Sequence, residues 1–88
     1  MKMMDMKDEA IKKYISAMNN IKRDSIRNTL SELSKELNVD EQTIVVQIIG
    51  ISSVQNDILA CSNEESVLDV FEEAINTTLS YVKKHGIV

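Results

Sequence analysis

The chain has 88 residues, of which 43% are hydrophobic and 27% are charged, and its formal net charge at pH 7 is −4. This length and composition predict one small folded domain and exclude an intrinsically disordered chain. The sequence contains no Pro, two Gly and three aromatic residues. Long helices around an aliphatic core are therefore expected, since a β-rich fold would need more turn residues.

The charges are distributed unevenly along the chain. Residues 1–35 contain eight basic and five acidic side chains, whereas residues 36–82 contain nine acidic side chains and no Lys or Arg. Because acidic side chains repel phosphates, any contact with nucleic acid would have to come from the front of the chain.

The sequence also indicates a compartment. One cysteine, Cys61, has no partner for an intramolecular disulfide, which is typical of a reducing environment. The N-terminal residues do not resemble a signal peptide, and the longest apolar run (44–54) is far shorter than the roughly 20 residues of a membrane-spanning helix. We expect a cytoplasmic protein with no membrane partner.

The first two helices are predicted over about residues 6–21 and 26–37. Asp5 is the expected N-cap of the first helix, and Asp24 or Ser25 is the expected N-cap of the second. The apolar face of the first helix comprises Ile11, Tyr14, Ile15, Met18 and Ile21. The apolar stripe of the second comprises Ile26, Leu30, Leu33 and Leu37.

The third helix is predicted over about residues 41–60 and could break at Gly50. Asn38 can adopt the left-handed conformation that ends the preceding helix, and Asp40 can cap the new one. The β-branched residues within 43–52 are equally typical of a strand, so both structures remain open there. The absence of a second strand candidate favours a helix.

The fourth helix is predicted over about residues 63–84. Ser62 and Glu65 form a capping box before it, and Gly86 is a natural stop after it. The pattern as a whole predicts an all-α single domain, with a tri-helical core plus this C-terminal helix in a small four-helix arrangement. The side chains expected to be buried are Leu30, Leu33, Leu37, Ile44, Ile48, Leu68, Phe71 and Ile75.

Residues 30–49 resemble the helix-turn-helix family. The matching positions are Leu33 and Ser34 in the first helix, Leu37 and Val39 around the turn, Asp40 as the cap and Ile44 in the second helix. Asn38 stands where the family usually has glycine, and Gln47 stands where it has an apolar residue. The resemblance implies a DNA-binding transcription regulator whose second helix enters the major groove.

The residues at the implied reading positions suit DNA poorly. They are Glu41, Gln42, Val45, Val46 and Ile49, and among them only Gln42 is a typical base reader. The candidate contacts to DNA, chiefly to phosphates, are Lys12, Lys13, Lys22, Arg23, Arg27 and Gln42. A solvated basic helix face would produce the same scatter of cations, so nucleic acid is a disfavoured partner.

The third helix is apolar over more than the roughly 100° arc that one buried face requires. It is therefore either central in the core or in contact with a partner. The predicted partner or homodimer interface comprises Val45, Val46, Ile49, Ile51 and Val54. It lies within residues 42–56, which carry no charge, so that two copies of an acidic chain can meet there without repulsion.

No enzymatic site is predicted. The chain has one histidine, His85, and no glycine-rich phosphate loop, so we expect no catalytic, metal-binding or cofactor-binding residue. The acids of the fourth helix, Glu64, Glu65, Asp69, Glu72 and Glu73, are interpreted as a solvated outer face. The expected function is that of a small non-enzymatic regulatory or inhibitory protein that acts by protein–protein docking, as a homo-oligomer. The alternative is a helix-turn-helix transcription regulator.

Overall fold

The computed structural model describes residues 5–86, which form five helices and no strand. The helices are α1 (Met6–Ile21), α2 (Asp24–Leu37), α3 (Glu41–Ile49), α4 (Ser52–Ala60) and α5 (Glu64–His85). The predicted all-α fold is confirmed, and the apolar segment 43–52 is not a strand. Five helices replace the four that were predicted because the third one divides into α3 and α4.

The division between α3 and α4 bends the chain by 82°. Gly50 retains right-handed helical angles, and its N–H donates to the carbonyl of Val46 at 2.9 Å. Ile51 is extended, with φ −69° and ψ 125°. Because glycine has a low helix propensity, ending a helix at this position costs little. Of the two possibilities that the sequence left open, a continuous helix or a break at Gly50, the structure has the break.

Three of the predicted helix ends are confirmed by backbone geometry. Asp5 caps α1 by accepting the N–H of Asp8 at 2.9 Å, and Asp40 caps α3 by accepting the N–H of Thr43 at 3.2 Å. Asn38 ends α2 with φ 55°, which a short polar side chain tolerates better than most.

Two of the predicted N-caps are wrong. α2 begins at Asp24 and its N-cap is Arg23, which makes no side-chain capping hydrogen bond. Asp24 instead lies in the first turn, where its negative charge favours the positive helix end. The N-cap of α5 is Asn63, one residue after Ser62, and its Oδ1 accepts the N–H of Ser66 at 2.8 Å.

The long helix α5 is the centre of the fold, since it contacts each of the other four helices. Its buried side chains are Val67, Leu68, Phe71, Ile75 and Val82. The ring of Tyr14 packs on that of Phe71 with their centroids 4.1 Å apart. Among residues 5–86, every buried side chain is nonionic and belongs to the hydrophobic core. The predicted core is confirmed except at Leu37, which is only partly buried.

The buried face of α1 differs from the predicted one. Ala10, Tyr14 and Ala17 are buried on it, whereas Ile15 is 48% exposed. The distance between packed helices depends on the side chains at the contact, so the two alanines allow α1 to lie close against its neighbours. The larger Ile11 and Ile15 are consequently placed on the flank that faces α3.

Candidate docking surfaces

A groove of about 330 Å³ lies between α1 and α3, and we call it the α1–α3 groove. It is lined by Ile11, Ile15, Asp40, Gln42, Thr43, Val45 and Val46. Val45 and Val46 are half-buried, and Ile15 is exposed. Four aliphatic side chains therefore meet the solvent together, with polar groups confined to the end at which α3 begins.

One acidic side chain lies at the end of the α1–α3 groove where α3 begins. The hydroxyl and backbone N–H of Thr43 donate to the Asp40 carboxylate, at 2.6 and 3.2 Å, and they hold the pKa of that carboxyl below its ordinary value. Lys12 is exposed on α1, next in sequence to Ile11. Lys12 is not among the residues that line the groove, so within residues 5–86 Asp40 is the one charged residue in its lining.

Tyr14 lies on the core side of α1, almost completely buried and packed on Phe71. Burial raises the pKa of its phenol to about 12, and the negative charge of Glu41 adds to that effect. The phenol is therefore neutral at physiological pH, as a side chain in an apolar core must be.

A second groove, of about 310 Å³, lies between α4 and α5, and we call it the α4–α5 groove. It is lined by Ile51, Ser53, Val54, Asp57, Val70, Glu73, Ala74, Thr77 and Thr78. Ile51 is 47% exposed, and Val54, Val70 and Ala74 are half-buried. Asp57 on α4 and Glu73 on α5 are both exposed, so each wall of the groove carries one acid.

The structure distributes the interface residues predicted from sequence among three places. Val45 and Val46 line the α1–α3 groove, whereas Ile51 and Val54 line the α4–α5 groove. Ile49 has no exposed surface and belongs to the core, so its assignment to an interface is corrected. Helical rotation is the cause, because Ile49 lies on the face of α3 that also buries Ile48.

The sequence interpretation missed the opposite wall of each groove. Ile11 and Ile15 were assigned to the inner face of the first helix, and Val70 and Ala74 were not singled out. A usable signal existed on α1, where Ala10 and Ala17 mark a second apolar face beside the isoleucines. Small side chains at helical spacing indicate close helix packing, and the bulky residues beside them are then left at the edge.

Two of the candidate phosphate-binding cations are held by the protein itself. The Lys13 ammonium donates to the carbonyls of Leu59 and Cys61, at 3.1 and 2.6 Å, and so satisfies the end of α4. Arg23 donates to the carboxylates of Asp69 and Glu72, at 2.7 and 3.1 Å, and thereby ties the α1–α2 connection to α5. These hydrogen bonds with both acids raise the pKa of Arg23 further.

The other candidate contacts to DNA do not form one patch. Lys22 and Arg27 line a shallow basin together with Glu41, whereas Gln42 lies in the α1–α3 groove. Lys12 is exposed elsewhere on α1. The six residues proposed from sequence are therefore separated into intramolecular contacts, a mixed-charge basin, the rim of an apolar groove and, for Lys12, the exposed surface of α1.

The segment that resembles a helix-turn-helix consists of α2, a tight turn and α3. The hydroxyl of Ser34 donates to the carbonyl of Val39 at 2.7 Å and helps to close the turn. Leu33 and Ile44 are buried, as the resemblance implies. At the implied reading positions Glu41 and Gln42 are exposed, whereas the apolar positions are half-buried or, at Ile49, fully buried.

Two further features of residues 5–86 bear on function. No three His, Cys, Asp or Glu side chains in this range gather closely enough to hold a metal ion. No single helix there has the length and apolar character to cross a membrane, and the bent pair α3 and α4 reaches both only when taken together. Comparison of the chain with protein-family models, with curated proteins and with solved structures finds no match.

Proposed function

We propose that the chain is a small non-enzymatic docking protein, of a regulatory or inhibitory kind, that associates with a second copy of itself through the α1–α3 groove. The observation that carries this proposal is the cluster of Ile11, Ile15, Val45 and Val46 at the surface. Leaving such side chains in water forfeits apolar burial, at about 25 cal/mol for each Å². A second copy would cover them.

The small number of charges in the groove supports a second copy as its occupant. In a two-fold dimer the same surface of each protomer faces the other, and among the residues that the structure describes Asp40 is the one charged residue that lines this surface. α3 itself is uncharged from Gln42 to its end, so the centre of the contact brings no like charges together. A stable interface needs about 800 Å² from each partner, which is about one-seventh of the 5909 Å² surface of the protein.

Sedimentation velocity at tens of micromolar protein tests the proposal. The unaltered chain is expected to sediment as a dimer. Val46→Asp and Ile15→Asp, one on each wall, are expected to give monomers with unchanged helical circular dichroism, since a charge buried at an interface costs several kcal/mol. Gln47→Asp is the matched control, because Gln47 is exposed on α3 and does not line the groove.

Two outcomes would contradict self-association. One is a monomeric unaltered chain at this concentration. The other is a dimer that persists in both Val46→Asp and Ile15→Asp. Ile15 is the more informative position, because it is 48% exposed and its substitution threatens the fold least.

The second candidate function is a DNA-binding regulator that uses α2 and α3. The closed turn at Ser34 and Val39, with Leu33 and Ile44 buried, favours this hypothesis. A mobility-shift selection with random duplexes tests it. A defined consensus site, lost with rising salt and relaxed by Gln42→Ala, would support DNA recognition and displace the docking proposal.

A further inference from the structure

The α4–α5 groove has the chemistry of a binding site for an amphipathic helix. Ile51, Val54, Val70 and Ala74 provide an apolar floor between two helices. A groove of this kind receives the apolar ridge of a third helix, whose anchors recur at helical spacing. Ala74 is the smallest of these side chains, so it leaves room for a larger one from a partner.

The polar side chains in the groove do not need hydrogen bonds from a partner. The Thr78 hydroxyl already donates to the carbonyl of Ala74 at 2.9 Å within α5. Ser53 and Thr77 are exposed, so water can form hydrogen bonds with their hydroxyl groups. A partner helix can therefore cover the floor without leaving a buried hydroxyl unpaired.

The charges at the edges of the groove favour a partner of positive charge. Asp57 borders the groove on α4 and Glu73 borders it on α5, and both are exposed. α4 contains no Lys or Arg, and the first basic residue of α5 is Lys83, beyond the groove. An apolar helix flanked by Lys or Arg would place its cations against both edges, whereas an acidic helix or a nucleic acid would be repelled.

We propose that the α4–α5 groove binds a basic amphipathic helix of a protein partner. The proposal deepens the docking function by naming the chemistry of the partner, and it does not require self-association. A second copy of the same groove is a poor occupant, because a two-fold contact would bring Asp57 and Glu73 of one chain against the same acids of the other. The two grooves thus serve different partners.

The test uses two fluorescein-labelled synthetic helices with the same leucine stripe, one flanked by lysines and the other by glutamates. Fluorescence anisotropy measures their binding to the intact chain. The lysine peptide is expected to bind about tenfold more tightly than the glutamate peptide, because two edge charges change from attraction to repulsion. In Asp57→Lys/Glu73→Lys this preference is expected to reverse.

Two controls separate the groove from general electrostatics and from folding. Glu36→Lys/Glu65→Lys makes the same change of net charge at exposed positions outside the groove, and it is expected to keep the preference for the lysine peptide. Ile51→Ser is expected to weaken that peptide about fivefold, since Ile51 loses its exposed apolar surface. Serine is also a better N-cap than isoleucine for α4, so a loss of binding would not come from unfolding.

Several results would overturn the proposal. They are equal binding of both peptides, a preference that survives Asp57→Lys/Glu73→Lys, and no binding of either peptide up to about 1 mM. Concentration-dependent assembly of the unaltered chain that Asp57→Lys/Glu73→Lys abolishes would instead identify a second copy as the occupant. Because none of these variants touches the α1–α3 groove, failure here leaves the sedimentation test of self-association unaffected.

Discussion

The two grooves have similar volumes, about 330 Å³ between α1 and α3 and about 310 Å³ between α4 and α5, but their borders differ. The lining of the α1–α3 groove contains one acid, Asp40, at the end where α3 begins, whereas the α4–α5 groove has an acid on each wall. In the proposed complexes aliphatic side chains would provide the affinity in both cases, and they would not discriminate among partners. The edge charges would then decide which partner is accepted.

The largest effect on stability is expected at Ile49, the residue of the apolar segment 44–54 that lies in the core and lines neither groove. Ile49→Asp places a carboxylate in the core and is expected to cost about 4 kcal/mol or more, which is enough to unfold a small domain. Ile51→Asp, two residues later, should keep or slightly raise stability, because Ile51 is the N-cap of α4 and makes no capping hydrogen bond. Urea denaturation followed by circular dichroism distinguishes them. Equal destabilisation by both substitutions would contradict the division of this segment between core and groove.

An intermediate effect is expected from alkaline pH, through Tyr14 in the core. Its pKa is about 12 in the folded chain and about 10 when unfolded. The contribution of Tyr14 to the free energy of unfolding is therefore fully present below pH 10 and is lost as pH rises from 10 towards 12. This loss amounts to about 2–3 kcal/mol. Urea denaturation across this range measures it, and Tyr14→Phe should show a smaller decline. A decline that is identical in Tyr14→Phe would contradict the assignment.

The smallest effect expected is that of salt, and it separates the two grooves directly. Raising the salt concentration from about 50 to about 500 mM shortens the range of surface electrostatics. The lysine peptide should then lose about fivefold in affinity for the α4–α5 groove, whereas dimerisation should change less than about twofold, since its contact is mainly apolar. Anisotropy and sedimentation at the two salt concentrations provide the measurements. Equal salt dependence in both would remove the distinction between the grooves.

The helices and most of the core were predictable from sequence because the periodicity of apolar residues is a local property. Leu30 and Leu33 on α2, and Phe71 and Ile75 on α5, lie where the spacing places them. Asp5, Asp40 and Gly86 could be assigned as helix ends for the same reason, since a cap depends on residues within one turn. Asn63 was missed because Ser62, an equally good capping residue, precedes it.

The candidate sites were less predictable because each groove joins residues distant in sequence. Ile15 meets Val46 only after α1 and α3 have packed, and Val54 meets Ala74 only after α4 has turned onto α5. The sequence indicated that residues 44–54 had more apolar surface than one face could bury. It did not indicate how that surface would be divided, because the division depends on the rotation of each helix about its own axis. Lys13 and Arg23 could not be recognised as internal anchors for a similar reason.

The 82° bend at Gly50 has a consequence for changes in chain length. Two residues, Gly50 and Ile51, join α3 to α4, so their backbone angles fix the direction and the rotation of α4. An insertion of one residue there would displace the half-buried Val54 and the buried Ile58 from their present packing while leaving composition and charge almost unchanged. The bend therefore makes this short joint less tolerant of insertions and deletions than a long loop would be. Among relatives that diverge in sequence, the spacing between Ile49 and Ser52 should vary less than the residues that fill it.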